Sequence, residues 1–236
     1  MRKNYDITKT KLIIWDLDDT FWSGNLSEGD VVLKPEAIAL VRELTTKGIM
    51  NSICSKNNFE DVKNNFLDLG LKDVWDLFVF VSIDWTPKGE RIQNIIKSMN
   101  LRNENVIFID DNVSNINEAK FYSPNIMSAT PEFINKIAEE LYLVNDYDFE
   151  HTRLKQYKIL EEKDVKKELE NALKRLPERE RTIMVLYYHE NMTLKEIGEA
   201  INVSESRISQ LHAQAIMKLK NLLSENRSER LKRSIV

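Results

Sequence analysis

Hydrophobic positions follow two different rules along the chain. Up to residue 128 they gather in short, mostly apolar segments, at 12–15, 49–54, 77–81, 106–109 and 125–128. Between the runs they recur at helical spacing. Pro35 opens the first such stretch, Ile38, Leu40, Val41 and Leu44 mark its buried side, and Gly48 closes it. Proline inside a helix start and glycine past its end is the expected asymmetry. Residues 59–69, stopped by Gly70, then 88–99 and 113–121 repeat the pattern. Short apolar strands alternating with amphipathic helices predict βαβ units and a parallel sheet covered on both faces. The predicted fold of this half is α/β, a Rossmann-like doubly wound parallel sheet.

Across 149–164 the strand runs stop and the text turns polar and helical. Residues 164–176 carry Val165, Leu169, Leu173 and Leu176 on one stripe. Pro177 restarts the chain into a helix over 178–188. Thr193 precedes a short helix with Glu196 three residues on, the spacing of a capping box. Asn202-Val203 makes a tight turn, and Ser204 caps a longer helix over 205–223. Two helices joined by a short turn predict a helix-turn-helix within a small all-α domain. The expected domains are 1–160 and 161–236.

Charge sharpens that division. Residues 1–160 hold 19 basic and 25 acidic side chains, whereas 161–236 hold 15 and 13, so the halves differ in sign. The chain of 236 residues is long enough for two cores. Hydrophobic content of 42% and charged content of 31% exclude a disordered polymer. No run approaches the ~18 apolar residues of a membrane span, and the Met-Arg-Lys-Asn start lacks a signal peptide's apolar core. The single cysteine, Cys54, excludes an internal disulfide framework, and three scattered histidines argue against a zinc site. The expected location is the cytoplasm, with no membrane partner.

Candidate chemistry concentrates at the ends of the predicted strands. In KLIIWDLDDT an apolar strand runs into Asp16, Asp18, Asp19 and Thr20. Carboxylates at the end of a buried strand are costly unless neutralised, and a hard divalent cation such as Mg²⁺ is the usual solution. The same sheet edge would gather Ser55 from the second strand, Asp110 and Asp111 from the fourth, and Lys88 from a helix start. A hydroxyl and an ammonium suit phosphate oxygens, and a carboxylate beside Mg²⁺ is how aspartyl phosphates form. Trp22 and Trp85 flank two of these segments, as a substrate platform or as packing. Cys54 reads as a small buried residue, with a thioester role as the lesser alternative.

Four segments in order, WDLDDTFW-G, CSKNN, DW-PK and FIDDN, resemble the motifs of the haloacid dehalogenase (HAD) phosphotransferases. The finer pattern resembles subfamily IIIC, which includes FkbH-type enzymes that load glyceryl units onto acyl carrier proteins. The resemblance covers 8–158, through the closing HTRLKQY. It implies that Asp16 is the nucleophile and that Asp18 is the general acid/base, with its backbone carbonyl on the metal. It implies Ser55 and Lys88 on the phosphate oxygens, Asp111 as a direct Mg²⁺ ligand, and Asp110 supporting Lys88 or a bound water. Thr20, Trp22, Asn57 and Trp85 complete the expected substrate surroundings. Only 38 residues separate Asp16 from Ser55, too few for a cap domain. Capless members of the family act on large substrates, which implies a phosphorylated substrate that is large or carrier-bound.

In the second half, the recognition helix would present Ser204, Glu205, Ser206, Arg207, Ser209, Gln210, His212 and Gln214 outward, with Ile208, Leu211, Ala215 and Leu219 inward. Residues 165–223 resemble region 4 of the sigma-70 transcription factors, the flagellar type in particular. That resemblance implies duplex DNA of the promoter −35 element and RNA polymerase as partners, with Arg207 and Gln210 at contact positions. No segment resembles region 2, so a complete sigma factor is not expected. The RSERLKR run, 227–233, reads as a solvated tail or as extra phosphate contacts. The expected whole is a Mg²⁺-dependent phosphatase or phosphotransferase joined to a DNA-binding domain. The alternatives are a transcriptional regulator whose first half senses a phosphorylated ligand, and a glyceryl-loading enzyme.

Overall fold

The run at 12–15 becomes the central strand. In the computed structural model, which describes residues 6–232 and the side chains of 6–223, two units are distinguished, Met1–Glu161 and Glu162–Val236. After a 3-10 turn at Ile7–Lys9, the first unit runs through β1 (Leu12–Trp15) and a two-stranded antiparallel hairpin, β2 (Trp22–Ser23) and β3 (Val32–Leu33). It continues through α1 (Pro35–Thr46), β4 (Met50–Ser55), α2 (Phe59–Asp68), α3 (Lys72–Trp75) and β5 (Ser82–Ile83). Then come α4 (Lys88–Ser98), β6 (Val106–Ile109), α5 (Val113–Tyr122), β7 (Met127–Ala129) and α6 (Phe133–Glu140).

The main sheet has the order β5-β4-β1-β6-β7, and every pairing in it is parallel. Trp15 stands opposite Ile53 on one side and Ile109 on the other, so Asp16, Cys54 and Asp110 are at one level. The chain builds outward from β1 to β5, then crosses to β6 and β7. The reversal falls between β1 and β6, the kind of position where open α/β sheets bind ligands. Side chains alternate across the sheet. Ile13 and Trp15 pack with α1, α2, α3 and α6, while Leu12 and Ile14 pack with α4, α5 and Leu154. All four are fully buried, at about 2 kcal/mol each. This is the doubly wound α/β fold expected from the sequence.

Two details differ from the pattern-based expectation. The run at 77–81 is not a continuous strand: Phe78 makes one isolated bridge to Asn51, and the strand proper is β5. Phe80 adopts φ 51°, a left-handed conformation that breaks the extended run. The polar helix expected from 164 starts earlier, as α7 (Thr152–Arg175). Asp148 starts it, accepting the Thr152 and Arg153 backbone N–H groups at 2.8 Å each.

The second unit comprises the end of α7 with α8 (Glu178–Tyr188), α9 (Leu194–Ala200) and α10 (Glu205–Lys232). The Thr193–Glu196 capping box is formed reciprocally, and Asn202 turns the chain at φ 54°. Gly198 is required for the close approach of α9 to the turn: a Cβ there would lie 2.6 Å from the Val203 carbonyl oxygen. Ile183, Ile197 and Ile208 form one small core, and Ala172, Leu176, Met184, Ala215 and Leu219 another. The basic side chains of the tail at 227–233 lie outside the described residues. Among the described residues, no helix is long and apolar enough to cross a membrane.

Candidate functional site

Helix α4 begins with Lys88, whose aliphatic stem is buried and whose ammonium lies at the sheet edge between two carboxylates. Its Nζ is 2.6 Å from Asp16 Oδ1 and 2.6 Å from Asp110 Oδ2. Burial pushes the Asp16 carboxyl above its ordinary value, with Lys88 pulling in the other direction and Asp110 adding to the rise. Burial acts to lower Lys88, but Asp16 and Asp110 together hold its ammonium above the usual lysine value. Ser55, at the end of β4, hydrogen-bonds Asp16. Asp110 is completely buried and saturated, since the Asn112 N–H donates to Oδ1 at 2.8 Å and Asn115 Nδ2 reaches both oxygens at 3.1 and 3.2 Å.

Asp111 differs from its neighbour. It is exposed, and its backbone N–H donates to Thr20 Oγ1 at 3.1 Å. Its carboxyl is raised above the ordinary value by burial first and by the Asp16 charge second. One oxygen from each of Asp16, Asp110 and Asp111 falls within a group whose members all lie within 4.8 Å of one another. Three carboxylates against one ammonium leave an excess of negative charge, and the donor set is all oxygen. A hard divalent cation fits both the charge and the donors.

Asp18 stands apart from this group. Trp22 Nε1 and the Leu26 N–H donate to its Oδ1 at 2.9 and 3.1 Å, and Asn57 Nδ2 donates to its Oδ2 at 2.9 Å. Asn57 Nδ2 also reaches Ser55 Oγ at 3.4 Å. A continuous chain of polar contacts therefore runs from Trp22 through Asp18, Asn57, Ser55 and Asp16 to Lys88 and Asp110. Asp19 is exposed at φ 51° and accepts the Gly24 N–H at 2.9 Å.

Of the four residues expected to surround a substrate, three turn inward. Trp22 is 1% exposed, wedged against Phe21 and Phe66, with its polar atom committed to Asp18. Thr20 is fully buried on the Asp111 amide, and Asn57 is buried between Asp18 and Ser55. These three are packed into the supports of the site, and Trp85, at 65%, is the exposed one of the four. Cys54 is buried, and burial pushes its thiol up to about 11, which weighs against the thioester alternative.

Sequence reasoning missed three contributors. Asn115 orients Asp110 and accepts Lys56 Nζ on its Oδ1 at 3.2 Å. Lys34 Nζ donates to the carbonyls of Asp19 and Thr20 at 2.7 and 3.1 Å, holding the turn after β1. Arg91 is buried and ties the ends of β4 and β5 together, donating to the Ser55 carbonyl at 2.8 Å and to the Ser82 carbonyl. Its signal was legible: Arg91 falls in the apolar phase of α4 with Lys88, Ile92 and Ile95.

On the helix-turn-helix, the Arg207 N–H donates to Ser204 Oγ at 3.3 Å, the cap expected of α10. Ser204, Glu205, Ser206, Arg207, Ser209, Gln210 and Gln214 are exposed, and Arg207 Nη1 donates to Gln210 Oε1 at 3.2 Å. His212 departs from the expected outward set. It is half-buried, with its ring 4.6 Å from that of Tyr187 and stacked on Tyr188 at 5.7 Å. Lys218 closes the base of the domain on buried Glu180 at 2.6 Å.

With both surfaces described, comparison with known proteins places the second one. Residues 172–221 match the family described as Sigma-70, region 4. The chain is 53% identical over 60 residues to the RNA polymerase sigma factor FliA of Pseudomonas aeruginosa, covering 25% of this chain and 24% of that one. It is 43% identical over 76 residues to FliA of Salmonella typhimurium, covering 32% of each. It thus spans a third or less of the length of these relatives. Residues 172–221, most of the second unit, are thus similar to a sigma-70 region 4 helix-turn-helix. Among solved structures, the fold is similar to the N-terminal part of a Bacteroides fragilis protein containing a phosphatase domain complexed with Mg. The TM-score is 0.49 and the identity 25%, over 59% of this chain and 41% of that one.

Proposed function

We propose that the first unit is a divalent-cation-dependent phosphatase acting through an aspartyl phosphate, and that the second attaches it to promoter-type duplex DNA. The observation that carries the first part is Asp16, a nearly buried carboxylate placed between Ser55 and Lys88 and beside Asp110 and Asp111. Asp16 attacks phosphorus while Ser55 and Lys88 hold the phosphate oxygens. The bond from phosphorus to the leaving oxygen breaks as Asp18 supplies that oxygen with a proton. Asp18 then takes a proton from water, the water oxygen bonds to phosphorus, and Asp16 is released. A cation held by Asp16 and Asp111, with the Asp18 carbonyl as a further ligand and Asp110 holding Lys88 beside it, would neutralise the phosphate charge. Positioning and charge stabilisation supply most of the rate, as in phosphoryl transfer generally.

Asp16→Asn tests this reading directly. Turnover of an aryl phosphate should require Mg²⁺, stop in EDTA and vanish in the variant while its fold is retained. Full activity in Asp16→Asn would overturn the assignment. The DNA-binding part rests on the exposed Arg207–Gln210 face of α10 and on the sigma-70 region 4 match. A bacterial RNA polymerase is the natural second partner of that surface. Glyceryl loading onto a carrier protein, the finer activity implied by the FkbH-type resemblance, has less support because the only thiol is buried.

A further inference from the structure

Asp18 is held by three donors, an indole, a backbone amide and a carboxamide. Oδ1 receives both the Trp22 indole N–H and the Leu26 backbone N–H, whereas Oδ2 receives only Asn57 Nδ2. A carboxylate oxygen offers two in-plane lone pairs, so Oδ1 is full and Oδ2 keeps one site open. The Trp22 ring cannot easily turn away. It is 1% exposed, its centroid lies 5.6 Å from that of Phe66, and its backbone pairs with Leu33 across the hairpin. A buried indole N–H without an acceptor costs about 1–3 kcal/mol, so the bond is enforced from the tryptophan side as well.

We propose that Trp22 is a positioning residue for Asp18: by saturating Oδ1 it makes Oδ2 the single atom that gives and takes the proton. This rests on the phosphatase reading. Oδ2 is also the oxygen on the side of Asn57 and Ser55, and Ser55 in turn bonds Asp16. The proton-handling atom and the nucleophile are thus fixed by one network. A general acid misplaced by about 1 Å loses on the order of 100-fold, so the orientation supplied by the hairpin matters to the rate.

The experiment compares two substrates in Trp22→Phe, which keeps an aromatic ring and removes the N–H. An alkyl phosphomonoester needs its leaving oxygen protonated, and dinitrophenyl phosphate does not. With Mg²⁺ present, kcat/KM for the alkyl ester should fall on the order of 10- to 100-fold. The fall for the dinitrophenyl ester should be distinctly smaller. Asp18→Asn should show the same selectivity more strongly, and adding Trp22→Phe to it should change nothing further. Equal losses on the two substrates, or none, overturn the proposal, because a merely structural tryptophan has no leaving-group preference. If Trp22→Phe does not fold, Leu26→Pro removes the other donor to Oδ1. The Glu28 N–H donates to the Asn25 carbonyl at 2.9 Å, so Leu26 occupies the second position of a turn, which favours proline. The same selective loss is expected there, and an equal loss again overturns the idea. A wild-type chain that hydrolyses neither substrate with Mg²⁺ defeats the phosphatase reading and this proposal together, whereas an active wild type with an unselective variant defeats this proposal alone.

Discussion

The Thr20 hydroxyl accepts the Asp111 backbone N–H at 3.1 Å, joining the segments that follow β1 and β6. Thr20 is fully buried, so this bond, and not a ligand contact, is what its hydroxyl does. Thr20→Val keeps the shape and deletes the acceptor, leaving the Asp111 amide without its partner. Mg²⁺ affinity should drop by about 1 kcal/mol, roughly fivefold, when measured by calorimetric titration. An unchanged affinity would show that Asp111 is placed by other means.

Lys88 is the only cation paired with Asp16 and Asp110 among the described residues. Lys88→Met should destabilise the first unit by about 3–5 kcal/mol without Mg²⁺, because two buried carboxylates lose their counter-charge. All four tryptophans, Trp15, Trp22, Trp75 and Trp85, lie in that unit. Tryptophan fluorescence during urea unfolding therefore reports on it alone. Added Mg²⁺ should recover part of the loss.

The carboxyls of Asp16 and Asp111 are both held above the ordinary carboxylate value, chiefly by burial. The folded chain then binds more protons than the unfolded one as pH rises past that ordinary value. The contribution of these groups to stability is complete at low pH and declines as pH climbs through their raised values. A bound cation removes that penalty by competing with protons. The Mg²⁺-induced rise in melting temperature should accordingly be larger at pH 7 than at pH 5; equal shifts would contradict the crowding of these acids.

Cys54, with its thiol pushed up to about 11, should resist thiol reagents in the folded chain at pH 8 and react at once in denaturant. Quantitative labelling of the native protein would contradict its burial.

Arg207 is exposed at the start of α10. On the DNA-binding reading, Arg207→Ala should weaken binding to −35-like duplexes and reduce the slope of log affinity against log salt by about 1 if it contacts a phosphate. An unchanged affinity and slope would remove Arg207 from the interface.

Period and punctuation made most of the first fold legible. Pro35, Gly48 and Gly70 mark helix ends that the structure keeps within a residue or two. The hairpin β2–β3 was not legible, because strands of two residues leave no alternation to read. Nor was the break at Phe80, a left-handed backbone in a residue that gives no local warning. At the site, the acids, Ser55 and Lys88 were visible as polar groups at strand or helix ends. The inward turn of Trp22 and Asn57 was not, since it depends on which neighbour each polar atom finds. Helical phase likewise placed His212 outward; the Tyr187 and Tyr188 rings that cover it come from another helix.

Between β1 and α1 the described chain builds only the hairpin β2–β3, and between β4 and α4 only two helices and a two-residue strand. None of these is large enough to roof the carboxylates at the sheet edge. On the phosphatase reading, neither insertion dehydrates the reaction, and a large substrate is what would. A bulky phosphorylated molecule would act as its own lid, and small phosphate esters, left wet on one side, would be turned over slowly even though they fit.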